Sequence, residues 1–157
     1  MKRRFLILTS VFALALSLVW YHWKQDEPRR DSLATLRDFE AALHANNPDA
    51  LLHSVVLPQA VQGRTVPEQA EFLRKALQDE ISEDGLIALK QRGHFGPLRN
   101  LFPAEAERWA NQAGVKSADC VAFAMERAGV RAEVVLLRDG ETYRVLRCNN
   151  VKQMAGG

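Results

Sequence analysis

Hydrophobic positions follow three successive patterns along the chain. From Phe5 to Trp23 a run of 19 residues carries no charge, and through Val19 no face of a helix built from it is polar. From Leu33 to Ala113 apolar residues recur every three or four positions, the period of amphipathic helices. From Val121 to Val145 they alternate, the period of strands.

In the middle region Ser32 is placed to cap a helix from Leu33 to about Ala45, striped by Leu33, Leu36, Phe39 and Leu43. Asn47 caps the next, with Pro48 at its first position, Leu51, Leu52, Val55 and Val56 facing inward, and Pro58 closing it. Gln59 to Arg64 reads as a loop. Thr65 and Glu68 have capping-box spacing and open a helix from Pro67 to about Glu80 that buries Ala70, Phe72 or Leu73, Ala76 and Leu77. Ser82 to Gln91 predicts a short helix weakened by Gly85, and Gly93 to Pro97 a break in regular structure. Pro103 to Ala113 predicts a last helix, packing Trp109 and ended by Gly114.

The alternating region contains Asp139-Gly140, a hairpin signal. A two-residue loop there pairs Leu136 with Tyr143, Val134 with Val145 and Ala132 with Arg147. A second turn at Ala128-Gly129 sets Val121 against Leu136, Phe123 against Val134 and Met125 against Ala132. The two registers agree on one face, in which only Arg147 is not apolar. The other face mixes Glu126, Arg131, Glu133 and Arg144 with Ala122, Val135, Leu137 and Leu146, the composition of a sheet with one wet side. Ala118 to Ala128 also reads as a helix capped by Ser117, since Ala and Met favour helices. The agreement of registers favours the strand.

The uncharged leader spans roughly 28 Å as a helix, close to the hydrocarbon thickness of a bilayer. Lys2, Arg3 and Arg4 before it predict a cytoplasmic amino terminus, with Trp20, Tyr21 and Trp23 at the opposite interface and the rest of the chain outside the cytoplasm. A cleaved signal peptide, and hence a secreted chain, is the alternative. No small-x-small site follows the apolar run, which favours an uncleaved anchor. Charge supports the partition. The whole chain is +2, but without its three leader cations it has 18 basic and 19 acidic residues, so no nucleic-acid partner is expected.

These elements predict an α+β protein: a transmembrane helix over 1–23, a linker over 24–31, a globular domain over 32–151 with several helices packed on an antiparallel β-meander, and a flexible tail over 152–157. The opening helices (Leu33–Ala45 and Pro67–Glu80) and the closing strands through Tyr143-Arg144-Val145 give Ser32 to Val151 a resemblance to the NTF2-like (cystatin-like) α+β roll. The resemblance implies a pocket between sheet and helices, which in some members is catalytic and in many binds ligands or partners. No Asp-plus-Tyr or His-plus-Asp pairing matches the family's isomerases or dehydratases, so no catalytic residue is transferred.

Candidate chemistry is sparse. Arg147 could anchor an anionic ligand by bidentate hydrogen bonds, although a frayed strand end would also place an arginine there. Tyr143 could offer its hydroxyl at the pocket edge, although a core aromatic is the plainer role. His94, between Gly93 and Gly96, lies in the kind of loop that carries function, but a turn histidine bonding the backbone is the plainer role. No His pair has metal-ligand spacing and no glycine loop cradles phosphate, so no metal or cofactor is expected. Cys120 and Cys148 fall roughly 20 Å apart in the meander, too far for a disulfide, unless Ala118–Ala128 is a helix. The chain thus reads as a membrane-anchored, extracytoplasmic, non-catalytic binding or protein-interaction module. Its expected partners are the bilayer, through residues 5–23, and a small ligand or an envelope protein. A small extracytoplasmic enzyme using the same pocket is the alternative.

Overall fold

A computed structural model describes the backbone of residues 2–45, 47–77 and 79–156 and the side chains from Leu14 onward. The described residues form seven helices and a four-stranded antiparallel sheet, an α+β architecture. The chain divides into two compact units, Met1–Asp31 and Ser32–Gly157.

The first unit belongs to α1 (Lys2–His44). Among the described residues no helix is long and apolar enough to cross a membrane. The expected span from Phe5 to Trp23 lies outside the described side chains over residues 5–13. From Leu14 to Trp23 the side chains are exposed. The expected linker over 24–31 is helical, because Pro28 removes one backbone donor while Lys24, Gln25, Glu27, Arg29 and Arg30 around it favour helix. Arg30 stacks on Trp23 at 4.4 Å and Lys24 on Trp20 at 4.9 Å. Ser32, expected as a cap, is an interior residue of α1 and is fully buried.

In the second unit Asn47 caps α2 (Pro48–Ser54) by accepting from the Ala50 N–H at 3.1 Å. Val55 and Val56 leave the helix. Val55 forms a parallel bridge with Val145, and the Val56 N–H donates to the Val145 carbonyl at 2.7 Å. The expected loop after Pro58 contains a helical turn, α3 (Gln59–Gln62). α4 spans Val66–Leu77, and at its start the Thr65 N–H and hydroxyl both donate to Glu68 Oε2. Of the positions expected to be buried along α4 only Leu73 is fully so, and Ala76 is exposed. α5 (Glu83–Arg92) is capped by Ser82. The Gly93–Pro97 segment, expected to be irregular, supplies β1 (His94–Pro97), an edge strand paired with the next one. A helical turn not expected from the sequence, α6 (Leu98–Leu101), follows β1, and the expected Pro103–Ala113 helix is α7 (Ala106–Ala113), starting three residues later, burying Trp109 and closed by Gly114 at φ 72°.

β2 (Cys120–Arg127) and β3 (Val130–Asp139) have the expected register, Val121 opposite Leu136 and Phe123 opposite Val134. Their turn has positive φ at both Ala128 (51°) and Gly129 (78°), the backbone a two-residue hairpin requires. β4 (Thr142–Asn149) departs from expectation twice. Its loop residues are Gly140 and Glu141, so Leu136 meets Val145 rather than Tyr143. The register then shifts between Val135 and Leu136, leaving Leu146 as an extra residue. Because strand side chains alternate, this bulge reverses the faces beyond it. Arg147 lies opposite Val135 and Cys148 opposite Val134.

Both faces of the sheet are covered. On one, Phe123, Val134, Leu136 and Val145 pack with Leu36, Phe39 and Leu89. On the other, the expected wet side, Cys120, Ala122, Val135 and Leu137 pack with Leu98, Phe102 and Trp109 of the α6–α7 region. The expected tail is partly ordered: Val151–Met154 forms a 3-10 turn with Val151 and Met154 buried. Gly85 permits this closure, since a Cβ there would run into the Val151 carbonyl.

Candidate functional site

Two clefts in the second unit differ in chemistry. The larger, about 620 Å³, opens among the end of α1, α2, α4 and the start of α5. Leu43, Leu51, Leu77, Ile81 and Leu86 supply its apolar walls. Its rim charges are largely matched to one another. Glu71 meets Arg74 at 2.6 Å, Glu40 meets Lys90 at 2.8 Å and His44 stands 3.8 Å from Glu83. Arg74 beside Glu71 holds that carboxyl below its ordinary range. A cleft whose charges are already paired offers an incoming molecule mainly apolar surface.

The smaller cleft, about 480 Å³, lies between α7 and the end of the sheet that carries the β2–β3 turn. Its walls include Arg108 and Trp109 from α7, Arg131 and Glu133 from β3, and Arg147 and Asn149 from β4. Glu133 is 3% exposed, and its Oε1 accepts from Arg147 Nε at 3.0 Å. Burial pushes the Glu133 carboxyl above its ordinary range, and the bond from Arg147 offsets only part of that. The Arg147 guanidinium also lies 4.7 Å from the Trp109 ring centre, and that of Arg131 lies 4.9 Å from Phe102.

The three residues singled out from the sequence do not converge. Arg147 lines the polar cleft, but on the face of the sheet opposite to the one expected, because of the bulge at Leu146. Tyr143 is 6% exposed in the core of the first face, and its backbone carbonyl accepts from Thr35 Oγ1 at 3.3 Å. His94 is exposed on β1, at the sheet edge remote from β4, opposite Ala124. Sequence reasoning assigned no role to Glu133 and Trp109 in a shared site. The signal available was an acidic residue among the apolar positions of β3, the pattern of a buried partner for a strand arginine. Cys120 and Cys148 are both free and belong to the cores of opposite faces. Burial raises both thiols, that of Cys120 to about 11.

No family model, curated protein or solved structure matches the chain.

Proposed function

We propose that residues 32–156 form a non-catalytic binding or protein-interaction module of a cell envelope, held at a bilayer by residues 5–23, with the helix-lined cleft as its binding surface. The observation that carries this reading is the cleft itself: about 620 Å³ of space with leucine and isoleucine walls and an internally paired rim. An apolar small ligand, or the apolar face of a partner segment, is the chemistry that such walls recognise. The anchor is supported by the uncharged run behind Lys2, Arg3 and Arg4, and by the exposure of Val19 (66%) and Trp20 (61%), which lipid would cover.

An enzymatic reading draws on Glu133, which burial biases toward its protonated form. It ranks second because the Oε1 of that carboxyl is held by Arg147 and, among the described residues, no histidine or cysteine lines its cleft.

The full-length chain should bind the apolar fluorophore 1-anilinonaphthalene-8-sulfonate at a saturable site that Ala70→Trp removes by filling the cleft, with unchanged thermal melting. Retention of the site in the folded variant would remove the helix cleft from the proposal. For the anchor, expressed chain should remain with membranes after alkaline carbonate extraction, and external protease should digest the domain in intact spheroplasts. Release by carbonate would argue against residues 5–23 as a span.

A further inference from the structure

The polar cleft differs in chemistry from the helix-lined one. We propose that it binds a small free oxyanion, a phosphate or a carboxylate, gripped by Arg147 and drawn in by Arg108 and Arg131.

Three guanidinium groups from three different elements line this one cleft, against the two carboxylates of Glu105 and Glu133. Glu133 is committed to Arg147. Neither Arg108 nor Arg131 has an acidic partner within ion-pair distance among the described residues, so the concavity keeps uncompensated positive charge. Low-dielectric walls focus such a field onto an entering anion.

Arg147 is held in a way that suits recognition. One face of its guanidinium lies over Trp109, and its Nε is fixed by the buried Glu133. No described group bonds its two Nη atoms, which form one edge of the planar fork that meets an oxyanion bidentately. Because stacking and the Nε bond already restrict the side chain, less freedom is lost when the anion arrives. Glu133 acts here as a positioning residue. The bulge at Leu146 is what brings Arg147 to this face, since regular pairing would have sent it into the opposite core.

The test is calorimetric titration of the full-length chain, at low ionic strength, with inorganic phosphate and separately with succinate. Saturable one-to-one binding of at least one is expected. Arg147→Lys keeps the charge but loses the fork, and the double variant Arg108→Gln/Arg131→Gln alters only exposed side chains; each should weaken binding about tenfold. Arg138→Gln, on the far hairpin, should leave it unchanged. Thermal melting of each variant verifies folding. Absence of saturable binding of both anions by folded protein overturns the proposal, as does equal binding by the double variant. Binding to phosphatidylglycerol vesicles that Arg147→Lys weakens, without binding of either free anion, also overturns it, since the site would then serve a lipid surface instead.

Discussion

The Glu133–Arg147 pair shows how one buried charge constrains its surroundings. Arg147→Ala would strand a carboxyl that is 3% exposed, at a cost of roughly 2–3 kcal/mol, less than for a fully buried pair because Arg147 itself reaches solvent. Chemical denaturation of the two proteins measures this. The pH dependence has a definite sign. Burial raises the Glu133 carboxyl, so between its unfolded and folded values the native state binds more protons than the unfolded state. The contribution of Glu133 to stability is therefore best below the ordinary carboxylate range and declines as pH rises through its folded value. Glu133→Gln should flatten that decline in urea melts taken from acidic to neutral pH. At the β2–β3 turn Ala128 occupies left-handed backbone at φ 51°, which asparagine tolerates better. Ala128→Asn should raise stability by about 0.5–1 kcal/mol, visible as a higher melting temperature.

Among the elements, β4 separates what was legible in the chain from what was not. Alternation identified the face shared by Val121, Phe123, Met125, Ala132, Val134, Leu136, Tyr143 and Val145, because a two-residue slip at the hairpin preserves which side each residue faces. The bulge was invisible, since nothing in Val145-Leu146-Arg147 marks an extra residue without knowledge of what covers the second face. The coverage itself was missed because the expected helix that became α7 carries no signal of which sheet face it packs on and α6 is a single turn, and β1 because Gly96 and Pro97 read as breakers; at a sheet edge proline needs no ladder partner for its missing N–H. Deleting Leu146 should restore regular pairing and, because Arg147 then follows Val145 directly, keep Arg147 opposite Val135 and beside Glu133. The loss should be that of one half-buried leucine, about 1–2 kcal/mol in thermal or urea melts. Of the candidate site residues, Arg147 alone lines a polar cleft, and its partner Trp109 comes from a helix that sequence spacing cannot bring near it.

Over the whole molecule, one sheet is shared by two apolar cores, and the two thiols are divided between them. Burial keeps both in their protonated, unreactive form, so native protein at neutral pH should resist iodoacetamide, whereas unfolded protein should take up two equivalents by mass spectrometry. The same spectrum without reductant should show no intramolecular disulfide. The two clefts lie over different faces of this arrangement and answer to different chemistries, so filling the apolar one with Ala70→Trp should leave anion titrations unaltered.

The borders of the sheet have a consequence for solution behaviour. On one side β1 is only four residues long and includes a proline; on the other, Val55 and Val56 already lie along β4. Each border is thus shortened or interrupted as a template for another polypeptide, which is how proteins rich in strands escape fibril growth. The folded unit should therefore stay free of thioflavin-positive aggregates when concentrated, even with four aligned strands at its centre.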